Sequence, residues 1–406
     1  MEYKEYEIRP LEDSIPCKIL QGIRVVELTE HVAGSMCGRM LTDYGADVIK
    51  IERPSGDPWR YVGANSCCPI DRDENPLFDV LNANKKSVVL DLKTQEGLNT
   101  MDKLVQKADI FLSNNRLKSL IKMGLDPETM REKYPRIIYG LITGYGLEGD
   151  ERDEPGFDSA CFWGRSGFML DMPIEVEGGY PLPSPTAVGD STAGALLLTG
   201  LLTALYQREK TGKGDFVTVS LLSTAMFAFN SMMVMTQPRY GRPYPMKRDE
   251  IKPYVGAYKA RDGEWVQFAI SNYKRHSAVF MKALGLDAMA EDPRFATEES
   301  ARGYWGEMVR AFEEQFLRKD ADEWVDIIRG LDITCCKLPH FSDLSNDKQL
   351  WANHYLQDYV FRNNAHCVMP CPPVRFGSTG GMYLGLAPAL GENTEEVLRE
   401  IEEEGR

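Results

Sequence analysis

Short β-branched runs alternate with helical stretches along the first 150 residues, and this alternation limits the possible folds more than any other feature of the chain. Residues 23–28 (IRVVEL), 47–51 (DVIKI), 87–92 (SVVLDL), 109–112 (DIFL) and 137–143 (IIYGLIT) read as strands. Residues 33–44 and 95–107 read as helices, the first stopped at Gly45. A strand, a helix and a further strand close as a βαβ unit, and repeating that unit builds a parallel sheet. Helices on both faces make such a sheet doubly wound. The predicted class is α/β with a doubly wound parallel sheet.

Residues 190–207 (DSTAGALLLTGLLTALYQ) are apolar nearly all round the helical projection, which predicts a central core helix. Arg208, Lys210, Gly212 and Gly214 suit its C-terminus, and 216–221 reads as the next strand. Near residue 250 the pattern changes. Two alternating runs, 254–260 and 265–270, flank Asp262-Gly263 and predict a hairpin. Helices are expected near 273–284, 304–317 and 321–330. The expected organisation is a large domain begun by residues 1–225, a linker over 226–249, a small α+β domain over 250–330, and a return of 331–406 to the large domain. A surface helix is expected over 392–406. No unbroken apolar run reaches about 18 residues, so no membrane-spanning helix is expected. The first twenty residues are charged and lack the apolar core of a signal peptide.

Charge decides the partner class. Lys and Arg number 47 against 61 Asp and Glu, a net charge of −14. Nucleic-acid binding needs a basic face, so it is not expected. An anionic ligand must be held by a local cluster of bases. The nine Cys are odd in number and irregular in spacing, which reads as reduced thiols in a cytoplasmic protein. His366 with Cys367 and Cys371, and Cys335-Cys336 with His340, lack the paired CxxC spacing of a structural zinc site, so no metal is expected.

The first βα turn of a doubly wound sheet is its natural ligand site. Here it runs from Glu27 to Gly34 without GxGxxG, and no GxxxxGK[ST] or GxSxG occurs. Dinucleotide binding, P-loop phosphoryl transfer and a serine nucleophile elbow are therefore unsupported. Asp190 follows Gly189 at the start of the apolar helix and has two compatible readings. One is an N-cap carboxylate. The other is a nucleophile whose pKa the helix N-terminus lowers. Arg53, Lys93, Arg116 and Lys122 stand at strand ends, as solvated surface charges or as a local phosphate site.

Four segments make the chain similar to the family III CoA-transferases, the group of formyl-CoA transferase, carnitine CoA-transferase and α-methylacyl-CoA racemase. They are residues 22–60, 82–97, 143–146 with 155–158, and 189–221. The GFD of 156–158, the stretch 74–87 and Trp351-Ala352-Asn353 resemble most the transferases of anaerobic amino-acid fermentation, which act on 2-hydroxyacids. The resemblance implies a Rossmann-like large domain and a smaller domain arranged as a ring, with two rings interlocked as a homodimer. It implies acyl-CoA and a small carboxylic acid as substrates, with no tightly bound cofactor. Asp190 falls on the catalytic aspartate of the family. The CoA-contacting positions fall on His31, Val32, Arg53, Leu90, Lys93, Asn114 and Lys122. Lys122 replaces an arginine and loses its guanidinium fork, and Asn115 replaces an aromatic residue. The glycine-rich lid of the family has no clear counterpart in 241–256.

Three activities remain in view. In the transferase reading the Asp190 carboxylate attacks a thioester, and backbone amides near Gly189 or Ala33-Gly34 stabilise the oxyanions. The racemase branch needs a histidine immediately before the Asp of the third segment, where this chain has Phe157 before Asp158. A non-catalytic acyl-CoA-binding protein is the third. Phe162, Trp163, Phe168, Met169, Met226, Phe227, Met232 and Met233 read either as the wall of an apolar acyl pocket or as plain core.

Overall fold

The computed structural model describes residues 17–174, 179–379 and 384–403, and these form two compact units. The first gathers the described residues through Gly167, Ser184–Val234 and those from Asp347 on. The second gathers the described residues of Phe168–Pro183 and Met235–Asn346.

The first unit is built on six parallel strands: β1 (Arg24–Leu28), β2 (Asp47–Glu52), β3 (Lys86–Val89), β4 (Ile110–Ser113), β5 (Ile138–Thr143) and β6 (Phe216–Ser220). Their spatial order is β3-β2-β1-β4-β5-β6, so the winding reverses between β1 and β4. Side chains alternate along a strand, so Val25 and Val26 serve opposite faces. Val26, Ile49, Ile51, Phe111 and Tyr139 pack in one core with α3 (Gln95–Gln106), α4 (Leu117–Met123) and α5 (Pro127–Lys133). The sheet also packs with α1 (Ala33–Asp43), on which α2 (Pro76–Asn82) rests, and with the long helix Val188–Thr211. Asp126 and Thr94 cap α5 and α3 with side-chain oxygens, which explains where those helices begin.

The helix Thr394–Glu403 belongs to the same core, with Val397 and Ile401 buried in it. The expected 392–406 helix is therefore half embedded, and its last three residues lie outside the described ones. The segment leading into it closes the β3 edge. Ser87 and Val89 donate their N–H groups to Asn393 Oδ1 and Thr394 Oγ1, at 3.0 and 3.1 Å. Open strand edges invite pairing with other chains, and this one is occupied.

The long helix has the length and mean hydropathy (1.4) to cross a membrane, although no unbroken run signals it. In the structure its Leu197, Leu198 and Leu201 are buried against its own unit.

In the second unit β7 (Val255–Lys259) and β8 (Trp265–Ala269) form the expected hairpin, with Gly263 in the left-handed region at φ 89°. The helices Tyr273–Ala283, Trp305–Phe316 and Ala321–Gly330 cover it, and Tyr258, Phe268, Phe312, Phe316 and Trp324 fill its core. The boundaries differ from expectation in two places. β9 (Thr334–Lys337) pairs antiparallel with β8, so 331–346 completes this sheet instead of rejoining the large one. Its short TCCK has no apolar alternation to signal a strand. The 226–249 segment is no linker: it is divided between the units, and its first residues are helical. A further hairpin in the first unit, β10 (Leu356–Val360) with β11 (His366–Pro370), has no counterpart among the expected elements.

Candidate active site

The reversal between β1 and β4 opens a crevice at their carboxyl ends, where doubly wound sheets bind ligands. Side chains at the end of β4 and just after it fasten the β1–α1 loop across it. Asn114 accepts the Glu30 N–H at 3.0 Å and donates back to the Glu30 carbonyl at 2.7 Å. Ser113 Oγ and Asn115 Nδ2 both donate to the Leu28 carbonyl.

The loop is tied down from below by buried charge. Lys50, in the middle of β2, is fully enclosed and pairs with Glu27 of β1 at 3.2 Å and Asp57 at 3.0 Å. Lys85 pairs with the same Glu27 at 2.9 Å. Burial works to raise the Asp57 carboxyl, but Lys50 and the Trp59 and His31 amides outweigh it and hold the pKa below the usual range. Burial pulls the Lys85 ammonium down to about 8, against Glu27. Asp57 Oδ1 accepts the His31 N–H at 3.0 Å, and His31 sits at φ 61°, a conformation that side chains other than glycine rarely adopt. The ion network thus ends on the one strained residue of the loop. Such strain persists only where its surroundings overdetermine it.

Above the loop lies a cavity of about 710 Å3, and each described residue lining it belongs to the first unit. Asp190, His31, Val32 and Asn114 share its wall. Asp190 reaches it through two close packings of the long helix. A Cβ on Gly194 would meet the Ala33 carbonyl oxygen at 2.7 Å, so the glycine lets this helix approach α1. Asp190 lies one turn earlier on the same face, toward the α1 N-terminus. A Cβ on Gly189 would meet the Phe162 ring at 2.5 Å, so the 159–164 helical turn seats directly on the first turn of the long helix.

That seating brings a second carboxyl to Asp190. Asp158 is 7% exposed. Burial raises its pKa, while the amides of Gly189, Asp190 and Ser159 and the Trp163 indole partly offset the rise. Burial, and then the Asp158 charge, push Asp190 up to about 7. Two expectations change. Asp190 is not the N-cap: Ala187 holds that position at φ 65°. Nor does the helix end lower its pKa, because desolvation and a like charge act the other way and the first helix amides face Asp158.

The remaining expected contacts lie elsewhere. Arg53, half exposed, pairs with the lining residue Glu30 at 3.5 Å and donates to the Gly56 carbonyl. Leu90 is buried in the core on the α3 side. Lys93 is exposed just before α3, and Lys122 is exposed on α4. Arg116 and Lys118 do line the cavity; Lys118 carries no sequence signal. None of the eight aromatic and Met residues offered as an acyl pocket lies on its wall. Phe162 and Trp163 are buried core, packed with Phe229. Val32, Ile121, Ile142, Leu147, Phe157 and Leu221 supply its apolar surface instead. Sequence reasoning also missed Lys50 and Asp57, although a lysine inside a strand buried on both faces is a detectable anomaly.

Comparison with known proteins gives one consistent result. A sequence profile described as CoA-transferase family III matches residues 20–394. Cinnamoyl-CoA:phenyllactate CoA-transferase of Clostridium sporogenes is 37% identical over 386 residues, covering 94% of this chain and 93% of that protein. (R)-2-hydroxy-4-methylpentanoate CoA-transferase of Clostridioides difficile is 35% identical over 384 residues, covering 94% and 95%. Among solved structures, Rv3272 of Mycobacterium tuberculosis matches with a TM-score of 0.82 at 26% identity, covering 94% of this chain and 99% of that one.

Proposed function

The chain belongs to CoA-transferase family III, and from that premise we propose that it passes coenzyme A from an acyl-CoA to an apolar or aromatic monocarboxylate or 2-hydroxyacid through covalent intermediates on Asp190. The observation that carries this reading is the half-buried Asp190 carboxyl on the wall of the cavity at the switch point, together with His31, Val32 and Asn114.

Each step exchanges one acyl bond for another. The Asp190 carboxylate attacks the thioester carbonyl, the C–S bond breaks, and coenzyme A leaves as thiolate, giving a mixed anhydride. Thiolate attacks the aspartyl carbonyl, the donor acid leaves as carboxylate, and an aspartyl-CoA thioester remains. The acceptor carboxylate attacks that carbonyl and expels thiolate, which then attacks the acceptor acyl carbon and restores Asp190. No proton is transferred, and the energy of the donor thioester is kept instead of being replaced from ATP.

The ionised form of a carboxyl with a raised pKa is the stronger nucleophile, and burial, then the Asp158 charge, supply that basicity. The Gly189 amide faces Asp158, so the α1 N-terminus supplies the oxyanion donors: Val32 and Ala33 line the cavity and Val32 caps α1 without a side-chain bond. Arg116 and Lys118 on the cavity wall, with Arg53, Lys93 and Lys122 outside it, serve the phosphates, and His31, Val32, Leu90 and Asn114 the remainder of coenzyme A. The named relatives act on phenyllactate and 2-hydroxy-4-methylpentanoate, both apolar 2-hydroxyacids, which supports the acceptor class. We place the enzyme in the cytoplasm as a ring-interlocked homodimer; its nine free cysteines fit a reducing compartment. Racemisation is disfavoured because Phe157 stands where a second base is needed. The test is Asp190→Asn: exchange between acyl-CoA and free acid should be lost while coenzyme A binding persists.

A further inference from the structure

Phe157 is a large aromatic side chain left 58% exposed on the wall of the cavity that Asp190 also lines. Single exposed apolar residues are ordinary on an outer surface. This one is different because its position is fixed from behind. Its ring packs edge-on against His31, with centroids 5.4 Å apart and planes at 87°. His31 is in turn braced edge-on by Trp59 at 6.2 Å. Trp59 Nε1 donates to the Leu77 carbonyl at 2.8 Å, and the His31 backbone is clamped by Asp57 over the buried Lys50. Phe157 is therefore the outer member of a braced aromatic row that ends on a buried ion network, and its open surface faces a cavity.

We propose that Phe157 determines acyl-group specificity: its exposed ring is the surface on which the acyl chain of the substrate packs while its carbonyl meets Asp190. The proposal rests on the transfer reading of the cavity and adds the residue that selects the acyl group. A flat, preorganised apolar surface loses little entropy when covered, so an aromatic or branched acyl group gains the full burial there. A two-carbon acyl group leaves the ring uncovered. A second carboxylate against the ring would be desolvated without a partner. The Asp158 backbone joins the ring to the carboxyl beside Asp190, so the acyl surface and the nucleophile are positioned by one short segment.

The test compares wild type with Phe157→Ala and Phe157→Leu in two measurements. The first is kcat/KM for 3-phenylpropanoate against acetate as acceptors, with butanoyl-CoA as donor. The second is calorimetric binding of 3-phenylpropanoyl-CoA against acetyl-CoA, in an Asp190→Asn background that needs no turnover. The expected result is a wild-type preference for the phenyl compounds that falls roughly 10- to 100-fold in Phe157→Ala. Phe157→Leu should fall between, the readout being the ratio of phenyl to two-carbon values within each variant. A preference that survives both substitutions overturns the proposal, as does equal weakening of both acyl-CoAs, which would assign the ring to coenzyme A itself. Because the binding arm works without transfer, an inactive wild type would reject the transfer reading while Phe157 is still judged by the binding ratio.

Discussion

The Asp158 carboxyl faces the backbone amides of Gly189 and Asp190, within electrostatic reach of the Asp190 side chain, and both carboxyls are held above the ordinary carboxylate range, first by burial. For Asp190 the second cause is the Asp158 charge. A buried carboxyl beside a half-buried one is costly, and the folded chain keeps the cost at the residue best placed to use it. Desolvation makes Asp190 a stronger base than a free acid, which suits attack on a thioester.

Asp158→Asn should retain shape and remove the charge. The Asp190 pKa then falls, and the acidic limb of the kcat/KM profile moves to lower pH by roughly one unit. A purely structural role for Asp158 would lower the amount of active enzyme without moving the inflection. Stopped-time assays between pH 5 and about 9 separate the two. On the plateau the variant should be slower, because its nucleophile is less basic.

Asp190→Asn should stabilise the fold, and by a pH-dependent amount. Below about pH 4 the carboxyl is protonated in both the folded and the unfolded chain. Between there and about 7 the folded chain holds a proton that the unfolded chain releases, so stability falls as pH rises through that window. Above it the whole cost remains, roughly 2–4 kcal/mol for a shift of this size. The Tm gain of the variant should therefore be large at pH 8 and vanish toward pH 4.

Lys50→Met should be among the most damaging single changes away from the cavity. It leaves Glu27 and Asp57 buried without their shared partner, at a cost of roughly 3–5 kcal/mol. Because Asp57 holds the His31 N–H, acyl-CoA affinity should fall as well. Arg275→Ala, which breaks an ion pair exposed on both sides, should shift the denaturation midpoint by well under about 1 kcal/mol. Urea titrations of the two variants check the contrast.

Much of the first unit is legible in the amino-acid sequence because its strands are short, β-branched and regularly interrupted by helices. β1, β2, α1 and α3 lie within a residue or so of where the pattern puts them. What escapes has a common cause. β9 is read as a strand only when β8 lies beside it, and TCCK alone says nothing. Lys50 looks like a break in DVIKI until Glu27 and Asp57 close on it. The direction of the Asp190 shift depends first on burial and then on Asp158, which is remote in sequence, so local helix-end reasoning points the wrong way. The apolar wall fails for the opposite reason: Phe162 and Trp163 are the right residue types but are spent in the core, while Phe157 remains open.

The most direct measurement is trapping the covalent enzyme. The protein is incubated with an acyl-CoA and hydroxylamine, digested, and its peptides are mapped by mass spectrometry. An anhydride or thioester on an aspartate is converted to a hydroxamate at that side chain. One acyl-CoA-dependent hydroxamate is expected, at Asp190, absent without acyl-CoA and absent in Asp190→Asn. Full transfer activity with no such modification, or with the hydroxamate on Asp158, would contradict it.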